Sequence, residues 1–169
     1  MASRTSPKGY TGTQIFLHWA IAALVIFQLI FGEDIGAAWR AYRRGLEPSA
    51  DATFAANIHV YIGIAVLVLA LWRLALRMRY GAPLPPPNES TIQKWIAGAA
   101  HIVLYLAILL MPISGLAAWF VGVEVAAEAH EFGKPVIIIV VALHAAAALY
   151  QHFFAKSDVL MRMLRPARS

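Results

Sequence analysis

His130-Glu-Phe-Gly-Lys-Pro-Val-Ile-Ile-Ile-Val-Val-Ala-Leu-His144 is the stretch that decides the fold, because it carries two imidazoles in a run apolar enough to cross a membrane. At about 1.5 Å rise and 100° turn per residue, its fourteen-residue step advances about 21 Å and returns to within about 40° of the starting direction. Both histidines then face the same way, near opposite surfaces of a hydrocarbon core about 30 Å thick. One helix can thus hold a metal centre near each membrane surface, provided that it continues through Gly133-Lys134-Pro135. A helix that starts only at Pro135 is the alternative, and it leaves His130 on a loop.

Composition points the same way. Of the 169 residues, 60% are hydrophobic and 14% charged, with a mean hydropathy of +0.65, too apolar for an ordinary soluble domain. The chain has no cysteine, which excludes disulfides, thiolate-held iron–sulfur clusters and cysteine zinc sites and leaves His, carboxylate or Met to hold a metal. The net charge of +5 does not point to nucleic acid, because the basic residues flank apolar segments instead of forming one basic face.

Four segments are long enough to span, and they predict an all-α, integral membrane four-helix bundle formed as one domain over residues 1–169, with helices at about 11–32, 52–72, 93–123 and 126–155. The first, Thr11 to Gly32, is uncharged and longer than the apolar part of a signal peptide, the competing reading. The polar connection 33–53 holds Trp39, Arg40, Tyr42, Arg43 and Arg44 and predicts an interfacial turn or short helix with three arginines on one face. The second segment ends against Arg73, Arg77 and Arg79. A loop follows, because four prolines between Gly81 and Asn88 cannot continue a helix. Ser90 and Gln93 have the spacing of a capping box for the third helix, which Pro112 should bend. Ten basic residues (Arg4, Lys8, Arg73, Arg77, Arg79, Lys94, Lys156, Arg162, Arg165, Arg168) fall on one side against four on the other (Arg40, Arg43, Arg44, Lys134). Both termini and the proline loop are therefore expected in the cytoplasm.

The histidines supply the chemistry. By helix direction, His18 and His144 lie near the inner face and His59 and His130 near the outer face. Each alone fits a hydrogen-bonded core residue; four at matching depths favour ligation. Two imidazoles converging from facing helices can hold a haem iron from both sides, which favours electron transfer because no axial position is left for oxygen. Zinc fits less well, since neither level offers a third or fourth ligand. His101 is a second partner for His144 in place of His18, or else a contact for a haem propionate or a quinone. Gln151, about 10 Å beyond His144 on nearly the same face, is a candidate quinone contact, and His152 is another; interface solvation is the plainer reading of both. Gly63 and Ala22, each one turn after a ligand, leave room for a ring, and Ala145 to Ala148 let neighbours approach. Arg40, Arg43 and Arg44 either steer an anionic donor or bind lipid head groups.

The chain resembles the bacterial cytochrome b561 family, small four-helix inner-membrane proteins carrying two b-type haems. The resemblance rests on Gln14-Ile-Phe-Leu-His18-Trp19, Asn57-Ile-His59-Val60 with Gly63, Ala100-His101-Ile-Val-Leu-Tyr105, His130-Glu131 and Leu143-His144-Ala-Ala-Ala-Ala-Leu149. It implies haem ligation by His18/His144 and His59/His130, and single-electron transfer from a periplasmic donor to ubiquinone near the cytoplasmic face. Some members resemble superoxide oxidases, so a small anionic donor such as superoxide is the expected partner beside membrane lipid and quinone. The chain departs from such relatives at Gln151-His152, where they carry a tandem His pair, and at Phe16, where a small polar residue can stand. A haem-bearing anchor that relays electrons for a soluble dehydrogenase is the alternative function. A haem-free scaffold with hydrogen-bonded histidines is a third.

Overall fold

The structure, a computed structural model, describes residues 7, 9–32 and 35–167. Arg4, Lys8, Glu33, Asp34 and Arg168 lie outside the described residues. Five helices follow in order: α1 Gly12–Phe31, α2 Ile35–Arg43, α3 Ala50–Tyr80, α4 Thr91–Val121 and α5 Glu124–Phe153, with a short 3₁₀ turn at Met161–Met163. There is no strand among the described residues. α1, α3, α4 and α5 are each long and apolar enough to cross a membrane, so the chain is an all-α membrane bundle. α2 is the short helix expected between the first two spans.

Local chemistry sets the ends. Thr11 and Gln14 form a reciprocal capping box at the start of α1, and Ser90 and Gln93 form the one expected at the start of α4, satisfying backbone N–H groups that have no partner within the helix. Gly122 ends α4 in the left-handed conformation at φ 75°, where a side chain would be strained. α3 runs to Tyr80, eight residues beyond the apolar segment read from the sequence. Arginine does not stop a helix; Gly81 and the prolines after it do. Arg73 and Arg77 are therefore helical side chains inside the bundle end: Arg73 Nη1 donates to the Gln14 carbonyl at 2.6 Å, and Arg77 lies 5.6 Å above the Tyr105 ring. α5 begins at Glu124 and passes through Pro135 without a break, so His130 stands on the same helix as His144.

α1 packs on α3, α3 on α4 and α4 on α5, with α2 lying against α3; α1 and α5 share no extended interface. Ile21, Val25, Val66, Ala70 and Ile137 form the buried core, drawn from α1, α3 and α5. Large apolar side chains such as Phe16, Trp95, Phe120 and Phe132 point outward, as lipid-facing side chains do where every backbone group is already paired within its helix. Ala145, Ala146 and Ala147 are exposed and only Ala148 is half-buried, so that run mostly faces away from the neighbouring helices. The small residues that admit close approach lie elsewhere, at the histidines.

Beyond α5 the chain turns back across the end of the bundle that carries the start of α1 and the proline loop. Trp19 Nε1 donates to the Met163 carbonyl at 2.7 Å, Arg162 Nη1 to Leu84 O at 2.7 Å, and Ala167 N to Tyr10 O at 3.0 Å. This is the tail end of the molecule; α2 marks the other.

Candidate functional site

At the α2 end, His59 on α3 and His130 on α5 face each other with ring centres 6.0 Å apart. Two imidazoles bonded at about 2 Å to opposite sides of one metal ion hold their ring centres about 6 Å apart. The approach is bought with glycine: a Cβ at Gly32 would lie 2.9 Å from His59 Nδ1, and one at Gly115 would lie 2.9 Å from His130 Cε1. Gly133 on α5 takes the Met111 side chain against its bare Cα. His130 Nδ1 meets the Met111 carbonyl at 2.8 Å and Ser114 Oγ at 3.3 Å. A carbonyl only accepts, so Nδ1 carries the proton and Nε2 keeps its lone pair, the form in which imidazole binds a metal. His59 is anchored through its backbone, whose carbonyl accepts from Gln28 Nε2 at 2.8 Å. Its buried Nδ1 has no hydrogen-bond partner among the described residues.

The two rings line a cleft of about 1170 Å³, its open mouth included, with Val25, Val66, Ile108 and Trp119 among its apolar walls and Gln28, Glu131 and Lys134 among its few polar ones. Gly63 lies in that wall, as its position one turn after His59 predicts. A slot with largely apolar walls and an imidazole at each side fits a planar metal macrocycle.

At the tail end three imidazoles converge. His18 on α1 and His144 on α5 stand 6.2 Å apart across the gap between those helices. His101 on α4 lies 5.4 Å from His144. Its Nδ1 donates to Ala97 O one turn earlier at 2.6 Å, leaving Nε2 unprotonated here too. The 6.2 Å separation suits ligands on opposite sides of one metal better than 5.4 Å, which fits only an angled pair. No group of three His, Cys, Asp or Glu side chains among the described residues is arranged to hold a bare metal ion.

The remaining predicted residues are distributed differently. Gln151 Nε2 donates to Glu89 Oε1 of the proline loop at 2.5 Å, while its Oε1 is buried without a partner among the described residues. His152 packs edge-on against Phe153, off the histidine cluster. Phe16 is exposed. Of the three arginines, Arg43 pairs with Glu124 at 2.9 Å, Arg40 folds over Gly36, and Arg44 follows the end of α2. Trp39 of α2 lines the cleft, stacks on Tyr42 and meets Trp119 with ring centres 6.3 Å apart. Sequence reasoning missed Gln28, Gly32, Met111, Ser114 and Gly115. For Ser114 and Gly115 a signal was available in Pro112-Ile-Ser-Gly115, a helix breaker followed by a hydroxyl and a glycine at the depth of His130.

Comparison with known proteins places the whole length of the chain in one family. The family model described as prokaryotic cytochrome b561 matches residues 9–166. Cytochrome b562 of Cereibacter sphaeroides is 39% identical over 162 residues, covering 96% of this chain and 99% of that protein. Cytochrome b561 homolog 1 of Escherichia coli is 30% identical, over 92% and 96% of the two chains. The probable superoxide oxidase CybB of Yersinia pestis is 29% identical, over 95% and 98%.

Proposed function

Because the chain belongs to the prokaryotic cytochrome b561 family, a bacterial multi-pass membrane protein of electron transport, we propose that it is a di-haem cytochrome passing single electrons from a periplasmic donor to ubiquinone at the cytoplasmic face. The observation that carries this reading is the pair of imidazole facings, 6.0 Å and 6.2 Å, both completed by α5. His59 and His130 would hold the haem at the α2 end, and His18 and His144 the one at the tail end. When bound, haem would supply reversible one-electron exchange.

The chain's own residues do the rest. Met111 O holds the proton on His130 Nδ1 and so directs Nε2 into the cleft. Gly32 and Gly115 leave the rings their space, and the apolar walls keep water out. The tail end is the cytoplasmic one, since most basic residues gather there. At that end Gln151 Oε1, without a partner among the described residues, is an acceptor for a quinol hydroxyl, with His101 as a second polar neighbour of the histidine cluster. Superoxide is the donor this reading favours, from the likeness to a probable superoxide oxidase and from Arg40 and Arg44 at the α2 end.

Haem content per chain across alanine variants at His18, His59, His101, His130 and His144 tests the ligand roles. His18, His59, His130 and His144 variants each lose a haem and His101→Ala keeps two; two haems in the His59→Ala protein sink the assignment. Superoxide generated outside sealed vesicles should reduce the haem and then quinone. Haem that stays oxidised rules out superoxide as donor while leaving the di-haem reading intact.

A further inference from the structure

The two imidazoles at the α2 end are held unequally. His59 Nδ1 is buried without a partner among the described residues, whereas His130 Nδ1 donates to Met111 O at 2.8 Å. That same carbonyl also accepts from Ser114 Oγ at 2.9 Å, and Ser114 Oγ stands 3.3 Å from His130 Nδ1. Two side-chain donors thus draw on one oxygen, directly before Pro112, in the helix that packs most closely against α5.

We propose that Ser114 is a positioning residue for His130, its hydroxyl competing for the Met111 carbonyl and so limiting how strongly that carbonyl pulls on the imidazole N–H. The inference rests on the ligand role proposed for His130. A stronger N–H···O bond at Nδ1 makes Nε2 a better electron donor, and a better axial donor favours the oxidised metal. Ser114 therefore keeps the potential at the α2-end site higher than the carbonyl alone would set it. Its distance supports a competing role and not a replacing one: at 3.3 Å the hydroxyl is a weak acceptor for the N–H, while at 2.9 Å its own proton is well placed on the carbonyl. Sterics are a separate matter and belong to Gly115, whose absent Cβ makes room for the ring.

The test is a redox titration of purified holoprotein, followed optically and by low-temperature EPR of the oxidised low-spin signals. In Ser114→Ala the midpoint potential of one haem component moves negative and its EPR signal shifts, while the other component stays at its wild-type values. Ser114→Thr, which keeps the hydroxyl, stays at wild type for both. Ser114→Cys, a weak donor, moves in the direction of alanine and carries the test should Ser114→Ala purify without haem. An unchanged or positive shift in Ser114→Ala overturns the proposal, as does an equal shift in the threonine variant, which would reveal packing alone. His130→Ala is measured beside them: if it retains both haems, the ligand assignment has failed, an outcome distinct from an unshifted Ser114→Ala.

Discussion

Gly115→Ala is the sharpest test of the α2-end geometry. The added Cβ would lie 2.9 Å from His130 Cε1 and 3.1 Å from His130 Nδ1, where ordinary van der Waals contact begins near 3.5 Å. The ring cannot yield cheaply, since its Nδ1 is held to Met111 O on the same helix as the new methyl group. Overpacking of this kind costs about 1–3 kcal/mol, which corresponds to about 5- to 150-fold in affinity for whatever the imidazole binds. Gly98 supplies the internal control: it is also on α4, yet a Cβ there meets nothing within 4 Å. Gly98→Ala should keep full haem and gain up to about 1 kcal/mol of helix stability. The assay is haem per chain by pyridine haemochrome, with the low-temperature spectrum and thermal stability of each variant in the same detergent. Gly115→Ala should lose one spectral component and approach one haem per chain, whereas Gly98→Ala keeps two. Full occupancy and an unshifted spectrum in Gly115→Ala would refute the claim that this glycine makes the ligand's space.

Other consequences follow from the hydrogen bonds and the ion pair. Glu124→Gln releases Arg43 from its 2.9 Å partner, so haem reduction by superoxide should speed up at low salt and return to the wild-type rate near 0.1 M, where the Debye length is about 10 Å; no change at low salt argues against an anionic donor. Trp19→Phe removes the donor to Met163 O, a bond worth about 0.5–1.5 kcal/mol, and faster amide exchange over residues 160–167 should reveal a loosened tail while haem content holds. Gln151→Leu, which leaves Glu89 without its amide partner, should raise the KM for quinone without moving either haem potential, and an unchanged KM would remove Gln151 from the acceptor site.

The bundle was legible because its determinants are local in sequence. Four uncharged apolar runs, the Ser90–Gln93 capping box and a proline-rich loop each act within one element, and the helices start close to where these signals stand. The exception is α3, where the apolar run ends at Trp72 but the helix continues to Tyr80. The arginines there find partners within the protein, a fact of tertiary contact that no single segment records. The histidine pairing was also legible, since depth follows from helix direction and the azimuth from the fourteen-residue step. The environment of each ring was not. Gly32, Gly115 and the Met111 carbonyl matter because of what lies across a helix interface, and hydropathy is blind to a missing Cβ or an aimed carbonyl.

Periodicity places Arg40, Arg43 and Arg44 on one helix surface but cannot see Glu124 arriving from α5 to pair with Arg43. α5 is in fact the element on which both ends depend. It supplies one imidazole to each pair, while the opposing histidines come from α3 at one end and α1 at the other. It packs closely on α4, and α4 in turn fixes His130 through Met111 and Gly115 and brings His101 to His144. The register between α4 and α5 therefore governs both facings at once. Pro112 and Pro135 lie within these two helices towards the α2 end, so Gly133-Lys-Pro135 stands between the two imidazoles that α5 carries, inside one unbroken helix.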